Sequence, residues 1–183
     1  MSELGLNFKV IKPDVNEQIL PDEEPEKLCE RLAKIKCEAV SKNFLNSLVI
    51  AADTIVVIDN KILGKPKDFN NAVEMLETLQ GREHEVMTGL ALSLNNKLIS
   101  SFERTRVKFR ALSHEQVLAY ANSGECMDKA GAYAIQGKGS LLIEEIHGDY
   151  FNVVGLPVCL LGKLLEREFN FKLEELINLN EYK

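Results

Sequence analysis

The sequence lacks most of the signatures that settle a function at once. Its four cysteines, Cys29, Cys37, Cys126 and Cys159, form no CxxC pair. Cys29 and Cys37 lie eight residues apart, two turns along an expected helix, which is too far for a disulfide. All four read as reduced, small apolar residues of a reducing compartment. The three histidines, His84, His114 and His147, have no metal-ligand spacing, and no Ser-His-Asp pattern is legible. There is no Walker or Rossmann glycine fingerprint. No apolar run approaches the ~18 residues of a membrane span. The N-terminal Met-Ser-Glu-Leu-Gly-Leu has neither a basic region nor an apolar signal core. A cytoplasmic protein with no membrane association is therefore expected. Positive charge is also short: 22 Lys and Arg against 28 Asp and Glu give a net charge of −6. That argues against a nucleic-acid polymer as partner, because such a surface needs a positive field. It leaves room for a single nucleotide held by a local lysine cluster and a cation.

What is present is an ordinary globular balance, 45% hydrophobic and 27% charged over 183 residues, enough for one domain or two small lobes sharing a core. Leu6, Phe8, Val10 and Ile11 read as a short strand. Pro21 to Pro25 is an acidic helix entrance, and a helix is predicted from about Pro25 to Asn43 on the spacing of Leu28, Leu32, Ile35, Ala39 and Val40. Leu48 to Ile58 is a Val/Ile-rich run that suits a strand buried on both faces. Asp59-Asn60 turns it, and Lys61-Ile62-Leu63 returns. Asp68 caps a helix to Gln80, with Gly81 at the left-handed C-cap position. His84 to Leu94 alternates as a strand, Asn95-Asn96 turns it, and Lys97 to Phe109 runs back. Ser113 with Gln116 is a capping box for a helix over 115–123. Tyr133 to Ile135 and Leu141 to Ile146 read as short strands, and Gly155-Leu156-Pro157 opens a last helix. Interspersed helices and strands predict an α/β domain with a mixed sheet.

Within that frame, Asp53 is the most informative residue. An acid inside an apolar strand is costly to bury unless something pairs with it. It is either a metal ligand or general base, or an aspartate capping nearby amides. Thr54 beside it is ordinary for a strand. Lys65, between Gly64 and Pro66, is either held toward an anion or a solvated loop lysine. Lys36 follows Leu32 at i+4, so it lies on or near the buried face, snorkelling or aimed at a site, while Lys34 points away. Gln136, between Ile135 and Gly137, carries an amide able to donate and accept, the chemistry needed to read a pyrimidine edge; a structural turn is the alternative. Asp128 and Asp149 are further carboxylates able to hold a cation.

Eight short stretches in order resemble the Maf family of nucleoside triphosphate pyrophosphatases. They are Asp14-Val15-Asn16-Glu17, Leu32-Ala33-Lys34-Ile35-Lys36, Ala52-Asp53-Thr54, Leu63-Gly64-Lys65-Pro66, Gly81-Arg82-Glu83-His84 with Thr88-Gly89, Asp128-Lys129-Ala130-Gly131-Ala132-Tyr133, Ile135-Gln136-Gly137, and Gly148-Asp149-Tyr150 with Gly155-Leu156-Pro157. Each is weak alone, and the ordered set over residues 1–168 is specific. The resemblance implies a single Maf-like domain over 1–183 with an elongated, inosine triphosphate pyrophosphatase-like α/β fold. It implies a cytoplasmic hydrolase that cleaves a nucleoside triphosphate between the α and β phosphates, with a divalent cation (Mg²⁺ or Mn²⁺). By motif position Asp53 would be the proton acceptor, with Glu17, Lys36 and Lys65 around phosphate and metal, and Asp53 and Glu17 as metal ligands. Thr54 and Gln136 match the positions that favour dTTP and UTP in one branch. The resemblance also carries the expectation that an apolar strand and a Ser-x-Ser-Pro-Arg-Arg-like loop belong upstream of Met1 and are lacking in this chain. A homodimer is kept open. The alternative function is a non-catalytic nucleotide-binding or regulatory module related to cell-division arrest.

Overall fold

The computed structural model describes residues 7–177, so the expected features of Met1 to Leu6 and of 178–183 lie outside the described residues. Among the described residues, five strands form one sheet in the order β2-β1-β3-β4-β5. They are β1 (Val49–Ile58), β2 (Lys61–Leu63), β3 (Glu83–Leu94), β4 (Lys97–Phe109) and β5 (Ile143–His147). A mixed sheet was expected; all four pairings among the described residues are antiparallel. Two-residue turns join β1 to β2 and β3 to β4. Asp59 and Asn60, and then Asn95 and Asn96, all have φ between 50° and 65°, as tight hairpins that follow strand twist require.

Among the described residues six α-helices accompany the sheet: α1 (Pro25–Ser41), α2 (Phe69–Leu79), α3 (His114–Ala121), α4 (Tyr150–Val154), α5 (Val158–Phe169) and α6 (Leu173–Ile177). The caps form as the sequence predicts. Asp68 accepts from the Asn71 amide at 2.8 Å, and the Ser113–Gln116 box closes in both directions.

The strand period of two sorts the packing. Odd-numbered β1 residues face α1: Ile55 and Val57 pack with Leu28, Cys29 and Leu32. Even-numbered ones face the other layer: Val56 and Ile58 join α2, α3, Phe109 and Tyr133. Further along that face, Leu90 and Leu92 pack on Leu161, Leu164 and Leu165 of α5. Helix α1 lies unusually close to the sheet. A Cβ on Gly89 would sit 2.0 Å from the Cys29 carbonyl oxygen, so only glycine admits this approach.

Four further expectations need correction. Residues 7–20 form no strand; Phe8 and Val10 alternate, yet Val10 is 81% exposed, because alternation supplies no pairing partner. Tyr133 to Ile135 is buried but irregular. Its backbone is bracketed by left-handed residues (Gly131 φ 67°, Ala132 φ 60°, Gly137 φ 68°), and the Ala134 amide bonds the Tyr120 hydroxyl instead of a ladder. The strand expected from Leu141 begins only at Ile143, after a 3₁₀ segment over Gly137–Leu142. Strand β1 is also only half-buried over Val49–Thr54, not covered on both faces throughout.

Candidate active site

Strand β2 covers β1 only at Val56 to Ile58. Upstream of Val56, β1 has a strand partner only on its β3 side among the described residues. At this bare edge, side chains from both faces of β1 reach one opening. A cleft of about 560 Å³ lies there, with Asp53 and Thr54 as neighbours on opposite faces of the strand. Glu17, Lys36, Asp53, Thr54, Lys65 and Gln136, the residues that the family resemblance places in the site, all line it.

On the α1 side the cleft is ionic. Asp53 is 13% exposed and Lys36 18%, and the Lys36 ammonium bonds Asp53 Oδ1. The same ammonium reaches Glu17 Oε2 at 3.0 Å, with Glu17 half in solvent. Helix periodicity explains the placement. Lys36 stands one turn beyond Leu32, on the flank that α1 buries, and Lys34 is exposed. The glutamate comes from a segment without regular structure, which Arg31 of α1 secures. Arg31 donates to the Gln18 carbonyl at 2.9 Å and pairs with Glu23 at 2.6 Å.

Burial pushes the Asp53 carboxyl above the ordinary aspartate range, and the pull of Lys36 and Lys65 does not fully offset it. Burial also disfavours the Lys36 ammonium, but the hydrogen bond and charge of Asp53, joined by Glu17, outweigh it and hold the lysine charged. Cys29, whose thiol lies on the same side, is pushed up to about 12, chiefly by burial, and stays a protonated thiol rather than a nucleophile.

On the other face the cleft is neutral. Thr54 Oγ1 lies 2.9 Å from Thr88 Oγ1, its directly opposite partner on β3. Thr88 donates in turn to the Asn152 carbonyl of α4 at 2.9 Å. The Asn152 amide nitrogen donates to the Val86 carbonyl and to Thr105 Oγ1, each at 3.0 Å. Thr88, Thr105 and Asn152 are wholly buried. Gln136 is exposed and makes no side-chain cap bond, so its amide is available. Behind it, Tyr133 is anchored by a 2.7 Å hydrogen bond between its hydroxyl and buried His84 Nε2.

Lys65 is exposed on its loop but faces the cleft, and Lys67 does not line it. Asp128 also lines the cleft while paired to Lys129 at 2.7 Å. Asp149 does not: its side chain caps α4 through the Phe151 amide at 2.8 Å. His114 is a surface residue paired with Glu77. Sequence reading missed Asn152, whose signal was slight: one amide within the apolar run Tyr150 to Val154. It also missed the part Thr88 plays, since a strand threonine draws no notice.

The donor chemistry suits a hard cation only in part. Asp53 and Glu17 offer two carboxylates at one ammonium, the set that magnesium completes with phosphate oxygens and water. No cluster of three or more His, Cys, Asp or Glu side chains able to cage a metal exists among the described residues. No helix among them is long and apolar enough to cross a membrane.

Comparison with known proteins adds an independent line. The family described as Maf-like protein matches residues 1–168. A dTTP/UTP pyrophosphatase of Clostridioides difficile (strain 630) is 46% identical over 175 residues, covering 94% of this chain and 90% of the relative. One from Caldanaerobacter subterraneus subsp. tengcongensis is 49% identical over 175 residues, covering 94% and 84%. One from Aquifex aeolicus (strain VF5) is 43% identical over 170 residues, covering 93% and 88%.

Proposed function

The chain belongs to the Maf family, and on that premise we propose that its cleft hydrolyses dTTP and UTP to the nucleoside monophosphate and pyrophosphate. The observation that carries this reading is the convergence of a half-buried, lysine-paired Asp53 with Thr54 and Gln136 in one opening. The enzyme is a hydrolase of a phosphoanhydride bond, acting on a nucleotide. Its free cysteines, three of them buried, agree with a cytoplasmic setting.

Asp53 acts as proton acceptor. Lys36 holds Oδ1, and Oδ2 has no protein hydrogen bond among the described residues, which leaves it for a water molecule. The water oxygen bonds to the α phosphorus in line with the bond to the β-phosphate oxygen, which breaks. The water proton passes to Asp53, and pyrophosphate leaves with the electron pair. A carboxyl raised above its usual range is a better proton acceptor than an ordinary aspartate. Lys36 and Lys65 offset charge that builds on the phosphate oxygens. Asp53 and Glu17 would hold a divalent cation, which when bound neutralises phosphate charge and aligns the triphosphate. Gln136 and Thr54 hydrogen-bond the base. A site built to satisfy one base's polar edge rejects others by leaving its own groups unpaired.

The test is pyrophosphate release from dTTP, UTP, CTP and GTP in Mg²⁺, with calorimetry alongside. Release that favours dTTP and UTP and disappears in Asp53→Asn supports the reading. Binding of dTTP without release would replace it with a nucleotide-binding module.

A further inference from the structure

Thr54 does not stand in the cleft as a free rotor. Thr88 Oγ1 has a single proton, and the carbonyl of Asn152, 2.9 Å away, can only accept. That proton is therefore committed to Asn152. In the 2.9 Å contact between the two threonines, Thr54 must then be the donor and Thr88 the acceptor. The Thr54 proton points inward, and the cleft meets Thr54 Oγ1 through its lone pairs alone.

The lock is rigid because each partner is itself fixed. The acceptor is the main-chain carbonyl of Asn152, which has no proton to return, and the residue is held in place by its side-chain nitrogen, which donates to the Val86 carbonyl at 3.0 Å. Thr105 spends its own proton on the Asp149 carbonyl at 3.0 Å, so it must accept from Asn152. Thr88, Thr105 and Asn152 are wholly buried, so water cannot substitute for any bond in the chain. Gly155 borders Thr54: a Cβ there would stand 3.4 Å from Thr54 Oγ1, in contact with it.

We propose that Thr88, through Asn152, is a positioning residue that makes Thr54 a hydrogen-bond acceptor only, and that this selects bases with a ring imide N–H over cytosine. The proposal rests on the pyrimidine-triphosphate reading above. On that reading the two substrates differ in sugar and share the imide of uracil and thymine. Uracil and thymine carry a hydrogen on N3, whereas cytosine presents a lone pair there. Against a fixed acceptor, cytosine meets lone pair with lone pair.

Thr88→Val keeps the side chain's shape and removes its hydroxyl, which frees the Thr54 proton to point into the cleft. Thr88→Ser restores the hydroxyl without the methyl. The readout is the UTP-to-CTP ratio of kcat/KM, with the same ratio of affinities measured by calorimetry using non-hydrolysable α,β-imido analogues of the two nucleotides. Thr88→Val is expected to lower both ratios by about fivefold to tenfold, and Thr88→Ser to restore them. An unchanged ratio with a uniform loss of rate and a lower Tm would overturn the proposal and leave Thr88 structural. A shift in the UTP-to-dUTP ratio instead would place the donor on the ribose and overturn the assignment to the base. The affinity arm stands even if no variant turns over, so a failure of the hydrolase reading would be told apart from a failure of this one.

Discussion

The two faces of β1 do different work within one cleft. Asp53, on the α1 face, sits among charges: Lys36, Glu17 and, from the loop, Lys65. Thr54, one residue on and on the opposite face, sits above a neutral chain of hydroxyls and amides through Thr88 and Asn152. A single peptide step separates an ionic half, to which we assign proton and phosphate chemistry, from a neutral half, to which we assign the reading of the base. The division follows from the strand period alone, because adjacent side chains point to opposite faces. The bare edge of β1 upstream of Val56 is what opens both halves to the same cleft.

The comparison breaks most sharply at Asp53. Asp53→Asn keeps the shape and removes the proposed proton acceptor, so pyrophosphate release should fall by about a hundredfold to ten-thousandfold while the fold survives. Circular dichroism and Tm near wild type must accompany the loss. A variant with near-normal release would remove Asp53 as the base.

Next in size is the support of the ionic face. Gly89→Ala places a methyl against the Cys29 carbonyl, so α1 must lift from the sheet, and Lys36 with it. A stability loss of about 2–3 kcal/mol in urea unfolding is expected, with a larger loss of kcat than any shift in base preference. A stable, fully active Gly89→Ala would show that the close approach is not needed.

His84 separates stability from the site. Burial holds its imidazole down at about 4, against 6.5 for a free histidine, so it is neutral in the fold. The unfolded chain binds the proton more readily, so this contribution is complete above pH ~6.5 and fades as pH falls toward 4. At about 1.4 kcal/mol per pH unit, it reaches at most about 3.5 kcal/mol. His84→Phe should flatten the acid limb of the stability curve; an unaltered limb would assign it to other groups.

Asp53 carries the opposite sign. Its raised carboxyl contributes stability when protonated and loses it as pH rises through its folded pKa, while activity grows over the same interval. The acid limb of kcat/KM should therefore have a midpoint above that of an ordinary aspartate. Lys36→Met should move it higher still, by removing the paired charge. A midpoint at or below the ordinary range would mean that pairing, not burial, dominates.

Much of the ionic half was legible in the sequence, since a carboxylate inside Val49 to Ile58 and a lysine one turn after Leu32 violate the surrounding pattern. Hairpins, caps and α1 were legible for similar reasons, through Asp59-Asn60 and Asn95-Asn96, Ser113–Gln116 and apolar spacing. The neutral half was not. Its bonds join residues 34 to 66 positions apart, and threonine in a strand looks the same whether or not it serves a network. The segment over 133–135 misled because buried aromatic and aliphatic residues mimic a strand, while the left-handed residues around it decide otherwise.

The most direct measurement is kcat/KM for dTTP, UTP, CTP and GTP on wild type, Asp53→Asn and Gln136→Ala side by side. The account predicts that Asp53→Asn lowers all four by a common factor and keeps their order, whereas Gln136→Ala compresses the order with little loss for the best substrate. A reordering in Asp53→Asn, or a uniform loss in Gln136→Ala, would contradict the division of labour between the two faces.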